Sequence, residues 1–209
     1  MMQLIGQYDS PFVRRVGVAL MRYGMDFDHV PFSVMGDGEK FAQFNPLKRV
    51  PTLVLDSGEV LTESGAILDY LDETHGRNRA LIAQDGRARR AALQRIALAT
   101  AIADKAVAYF YTKRFGGEVD PWFAARCEEQ IITGLHALNI HCADRHGNWW
   151  FGADPGHDDI AVACVARFLS EAYAPLVRLS DYPDLEDHSR RAENLSEFIQ
   201  IQQPFLAPA

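Results

Sequence analysis

Three short groups of residues carry the chemistry open to this sequence. Asn45-Pro46-Leu47-Lys48-Arg49-Val50-Pro51 runs into the apolar stretch Thr52-Leu53-Val54-Leu55. A proline bend at such a strand entry frees the Val50 N–H and C=O to pair with an extended peptide, as a neighbouring strand would. Glu63-Ser64 follows at a helix start, where unpaired N–H groups and a partial positive charge attract a carboxylate. The Ser64 hydroxyl adds a donor there, and Glu63 offers a counter-charge to an ammonium. The two groups together suit the middle and both ends of a small zwitterionic peptide. The third group is Ser10-Pro11, serine at a helix N-cap with proline in the first turn. Taken singly, Glu63-Ser64 reads as capping, because Thr62 is also a good N-cap and acids favour a first turn. Beside Val50-Pro51, binding becomes the better reading.

These residues need a scaffold, and the first third of the chain supplies one. An apolar run at 3–6 leads to the Tyr8-Asp9-Ser10-Pro11 turn and a helix carrying Val13, Val16, Leu20 and Tyr23, ended by Gly24. A strand at 27–32, a short helix at 39–44, a hairpin over 52–61 and a helix over 63–75 follow. The order β-α-β-α-β-β-α implies a small mixed sheet flanked by helices. Residues 76–86 read as a linker, and beyond them strand signals cease. Long helices are expected at 87–115, with Leu93, Ile96, Thr100, Ala103, Val107 and Phe110 on one face, and at 121–145. The segment 160–169 is apolar nearly all round, as suits a central bundle helix. Shorter helices are expected at 185–192 and 195–202.

Composition narrows the function. A chain of 209 residues with 48% hydrophobic and 23% charged residues buries a substantial core in one or two domains. Its net charge of -7 argues against a nucleic-acid partner. Arg87, Arg89, Arg90 and Arg95 read as a solvated or inter-subunit helix face. No apolar run is long enough for a membrane span, and the N-terminus lacks a signal-peptide pattern. Cys127, Cys142 and Cys164 form no CxxC pair or zinc spacing, and the seven histidines show no ligand spacing. The expectation is a cytoplasmic protein without a metal.

The order Tyr8-Asp9-Ser10-Pro11-Phe12-Val13-Arg14, Asn45-Pro46 with Val50-Pro51, Glu63-Ser64, and Gly152 with Asp159 resembles the cytosolic glutathione S-transferases over essentially the entire chain. The resemblance implies a thioredoxin-like glutathione-binding domain over 1–78 and an all-helical domain over 86–209. It implies a cis Val50-Pro51 bond, with Val50 pairing to the cysteinyl unit of glutathione and Glu63-Ser64 holding its γ-glutamyl end. Ser10 matches the catalytic serine of the serine-type members: a hydroxyl at the positive end of a helix lowers the pKa of the bound thiol, which is about 8.5 when free. Tyr8 is the rival, since tyrosine-type members use a phenol near the end of the first strand. The absence of cysteine from the first domain disfavours the cysteine-type reductases.

Further positions follow from the same resemblance. Phe12 walls the site beside the sulfur, Arg14 and Lys40 supply supporting charge, and Lys40 or Arg49 meets the glycyl carboxylate. The electrophile is expected between the domains against aromatic side chains, with Tyr109 and Tyr111 foremost. Gly156-His157-Asp158-Asp159 corresponds to a capping box whose usual serine or threonine is replaced by Gly156, leaving half of the reciprocal pair. The implied function is a homodimeric, detoxifying glutathione transferase acting on small apolar electrophiles. Two alternatives stand beside it: a glutathione-dependent isomerase resembling maleylacetoacetate isomerase, whose Ser-Ser-Cys-like turn this chain lacks, and a non-catalytic binding or regulatory module.

Overall fold

The structure, a computed structural model, describes residues 1–207. The chain divides into two units, one of residues 1–84 together with the segment from Asn194, the other Asp85–Glu193. The first is thioredoxin-like. Its strands β1 (Met2–Ile5), β2 (Phe27–Val30), β3 (Thr52–Val54) and β4 (Val60–Thr62) form one sheet in the order β2-β1-β3-β4. β1 runs parallel to β2 and antiparallel to β3, and β3 is antiparallel to β4. Leu4, Ile5 and Leu53 are fully buried along the central strands.

Helix α1 (Pro11–Tyr23) begins and ends where local chemistry dictates. Ser10 is its N-cap in extended backbone, and Gly24 closes it at φ 67, its N–H reaching the carbonyls of Leu20 and Met21. Only glycine adopts that left-handed geometry freely. Val13, Val16, Leu20 and Tyr23 are buried, as the helical spacing requires, but so are Arg14, Arg15 and Gly17. A second α1 face is therefore covered too. The cover includes the C-terminal segment with α8 (Ser196–Gln200): Arg14 donates to the carbonyls of Ile201 (2.8 Å) and Phe198 (3.1 Å), and Arg22 pairs with Glu197. The expected 86–209 domain thus gives up its tail to the first unit. Between α2 (Gly38–Ala42) and α3 (Ser64–His75) lies the hairpin, and α3 buries Ile67, Leu68 and Leu71. Nor is the 76–86 linker loose. Leu81 and Ile82 are buried, and the Leu81 N–H donates to the Tyr23 hydroxyl (3.0 Å) and to Asp72 (3.1 Å).

The second unit is helical: α4 (Gly86–Phe115), α5 (Pro121–Ala143), α6 (His157–Ala172), a 3₁₀ turn Leu179–Asp181 and α7 (Pro183–Glu193). α6 is buried over nearly its full length, as its all-round apolarity implies. The buried stripe of α4 departs from the expected face. It is Ala92, Ala99, Ile102, Ala103, Ala106 and Tyr109, while Leu93 is 43% exposed. Small side chains let the helices approach closely: Gly134 of α5 leaves no room for a Cβ, which would stand 2.5 Å from Ile102. Reading the larger apolar residues misplaces a face that is built on alanine. Among the described residues no helix is long and apolar enough to cross a membrane.

Candidate functional site

The site grows from the loop that joins β1 to α1. Ser10 Oγ accepts the Val13 N–H at 3.4 Å, a long capping bond, and its own proton has no acceptor among the described residues. A hydroxyl donor therefore stands at the positive end of α1. Phe12 is half-buried in the first turn.

Tyr8, the rival, packs along the same helix. Its ring edge lies 3.3 Å from where a Cβ on Gly17 would stand. Gly17 is seven residues beyond Ser10, about 10 Å further along the α1 axis. The ring thus packs on the second turn of α1, and burial pushes the phenol's pKa up to about 12.

The peptide-pairing edge adjoins Ser10 through a single glycine. Gly6 has φ 129, and a Cβ there would meet Val13 Cγ2 at 2.6 Å and Val50 Cβ at 2.9 Å. No residue with a side chain fits where α1 and the Val50 segment converge. The segment itself is pinned by buried Asn45, whose side chain donates to the Arg49 carbonyl (2.9 Å) and accepts the Leu47 N–H (2.9 Å). The Val50-Pro51 bond is cis, as the resemblance implied. The Val50 N–H and C=O take part in no strand pairing or turn bond of the described residues.

At the head of α3 the capping that Glu63-Ser64 would suggest on its own is absent. Thr62 ends β4, and the N-cap is Glu63, whose side chain makes no capping bond. The first-turn N–H groups therefore stay open to a carboxylate, with Ser64 buried beside them. Glu63 is held at φ 66, a region that costs a residue with a Cβ about 1 kcal/mol or more. Its carboxylate is half-exposed and 3.6 Å from Arg49.

The supporting charges sort differently from expectation. Arg14 serves the C-terminal segment, as above. Lys40 donates to Asp37 (2.9 Å), which holds that carboxyl below its usual range, and it also lies over the Phe32 ring. Arg49 is the cation beside Glu63. In the second unit Tyr109 is buried with its hydroxyl on Glu128 (2.7 Å), a core placement, while half-buried Tyr111 stacks on Phe115. Arg95, read as part of a solvated face, grips buried Asp158 through Nε (2.9 Å) and Nη2 (2.7 Å). Among the described residues no cluster of His, Cys, Asp or Glu could hold a metal ion, and all three cysteines are buried.

Two parts of the site were missed in the sequence. Gly6 had a signal, a glycine directly after an apolar strand run. His29, which contacts both Gly6 and Tyr8, had none.

Comparisons with known proteins agree with this fold. The model of the glutathione S-transferase N-terminal domain matches residues 4–79. Maleylacetoacetate isomerase of Rattus norvegicus is 30% identical over 201 residues, covering 93% of this chain and 88% of that protein. The fold is similar to that of a glutathione S-transferase from Methylobacillus flagellatus KT with GSH bound, at TM-score 0.86 and 29% identity, covering 96% of this chain and 98% of that one. A glutathione S-transferase from Methylobacterium radiotolerans JCM 2831, in complex with glutathione sulfonate, gives TM-score 0.88 and 27% identity, covering 100% of this chain and 99% of that one.

Proposed function

The chain belongs to the glutathione S-transferase family, and from that premise we propose a glutathione transferase in which Ser10 stabilises the bound thiolate. Val50 pairs with the cysteinyl backbone, Ser64 and the α3 N–H groups take the γ-glutamyl carboxylate, and Glu63 faces its ammonium. The Ser10 hydroxyl donates to the sulfur, so the thiol releases its proton to water more readily. The thiolate attacks a small apolar electrophile; a carbon–sulfur bond forms as the electron pair passes to the leaving group or to the acceptor's conjugated system. The protein contributes orientation and a lowered thiol pKa and forms no covalent bond of its own.

The observation that carries this reading is Gly6. The convergence of Val13 and Val50 around it brings the hydroxyl-bearing helix start and the peptide-pairing edge to one corner. Family membership further supports a homodimer acting in the cytoplasm in detoxification.

Ser10→Ala is the direct test. Losing a hydrogen bond to a charged group should raise the bound thiol's pKa and lower turnover about tenfold to a hundredfold, with glutathione affinity nearly unchanged. Unchanged activity, with loss in Tyr8→Phe instead, would pass the role to Tyr8.

A second reading, a glutathione-dependent isomerase that returns its glutathione each cycle, is favoured by the relative of that name. A maleyl substrate isomerised with no net glutathione consumption, and no conjugate from an electrophile panel, would select it. No heat on titration with millimolar glutathione would point to a binding module of another kind.

A further inference from the structure

Gly6 has no side chain, so no packing of its own fixes the peptide on which both halves of the site turn. Two residues of β2 hold it instead. Its N–H donates to the Val30 carbonyl at 2.9 Å, and its carbonyl lies 2.8 Å from His29 Nε2. A carbonyl oxygen only accepts, so Nε2 carries the hydrogen and donates. The His29 ring also lies flat on Tyr8, with centroids 3.7 Å apart and planes 8° from parallel. Gln7, between these two grips, has its carbonyl bonded by the Ser10 N–H at 3.2 Å. The path from His29 to the Ser10 hydroxyl is thus a closed run of contacts only a few residues long.

We propose that His29 is a positioning residue for the Ser10 hydroxyl, setting where that donor stands relative to the Val50 edge and so how well it meets a bound sulfur. The proposal rests on the reading of Ser10 given above. His29 touches no substrate in this scheme; it acts through the Gly6 carbonyl and the Tyr8 ring. Loosening either grip lets the Ser10 loop shift without altering the α3 head that holds the peptide's charged end. The thiol's pKa should therefore respond while affinity does not, a split that a purely structural histidine would not produce.

The test compares Ser10→Ala, His29→Phe and His29→Gln, reading the bound glutathione thiol's pKa from thiolate absorbance, alongside turnover and binding heat. His29→Phe keeps a ring for Tyr8 but loses the N–H. It should raise the thiol pKa by roughly half to one unit, with turnover falling in step and affinity within about twofold. Glutamine places an N–H at nearly the same distance from its Cβ as histidine Nε2, so His29→Gln should recover most of that shift. A wild-type thiol pKa in His29→Phe, while Ser10→Ala raises it, overturns the clamp and leaves Ser10 standing. No shift in Ser10→Ala means that the Ser10 reading has failed and the clamp with it. If His29→Phe does not fold, Tyr8→Leu removes the stacking grip and leaves the His29 N–H in place, and an unmoved thiol pKa there overturns the proposal equally.

Discussion

The helices α6 and α3 both carry acids at their heads and use them in opposite ways. At the head of α6 the acids are wholly occupied by their own chain. Asp159 accepts N–H groups from Gly156 (3.0 Å), Trp150 (3.1 Å) and Phe151 (3.4 Å), Asp158 takes the Arg95 fork, and both are buried. Gly156 offers no hydroxyl, yet the half of the capping box that Asp159 supplies is intact. At the head of α3 the first-turn N–H groups are left open: Glu63 caps none of them, sits at positive φ and is half-exposed beside Arg49. The same residue types at the same kind of helix terminus therefore serve folding in one place and, in the reading proposed, a ligand in the other. What separates them is whether the donors and acceptors are already taken.

Asp159→Ala gives the largest expected break in that contrast. It strips three buried N–H groups of their acceptor, and stability should fall by about 3 kcal/mol in urea unfolding at neutral pH. Glutathione affinity, measured at a temperature where the variant stays folded, should not move. Stability within 1 kcal/mol of wild type would show that the α6 head is as open to substitution as that of α3.

The buried knot also has a pH signature. His188 donates through Nε2 to the Asp159 carbonyl (3.0 Å), and its Nδ1 accepts from Arg145 (2.8 Å), so the ring is neutral. Burial pushes its pKa down to about 4. A group that charges more readily when unfolded contributes stability above pH 6.5, and that contribution is lost as pH falls toward 4, about 3 kcal/mol in all. Asp159 has the opposite sign. Burial, with the Asp158 charge adding, lifts its pKa to about 6, so its effect favours the fold at low pH and is lost as pH rises from 3.8 to 6. The two nearly cancel across pH 4–6. His188→Gln removes one of them, so the variant should lose stability on going from pH 4.5 to pH 6 by about 2 kcal/mol more than wild type does. Parallel pH profiles for the two proteins would refute the assignment.

What the sequence disclosed divides along the same line. Helix and strand order, the Ser10 cap and the Gly24 stop were legible because each depends on neighbours in the chain, whereas the cis Val50-Pro51 bond followed only from the family resemblance. The α4 face was not, because an alanine stripe has no apolar signal stronger than its flanks. Arg14 looked like a supporting charge of the site and Arg95 like a solvated one because their partners, Ile201 and Asp158, are 187 and 63 residues distant. His29 could not be found at all, since its meaning lies in a carbonyl across the sheet. The uncapped head of α3 was readable in residue type but not in strain.

That strain carries the smallest and most discriminating prediction. Glu63→Gly removes the Cβ that makes φ 66 unfavourable and leaves the first-turn N–H groups untouched. The pair with Arg49 is half-exposed, so its loss costs the fold little. Stability should rise by up to about 1 kcal/mol, or stay level once glycine's added unfolded-chain entropy is counted. Glutathione affinity should nevertheless fall several-fold, because the ammonium loses its counter-charge. A residue that the fold would rather lose and the ligand would rather keep is there for the ligand. Calorimetry and urea unfolding on this one variant decide it: weaker folding with unchanged binding would make Glu63 a structural acid, and the α3 head would join that of α6.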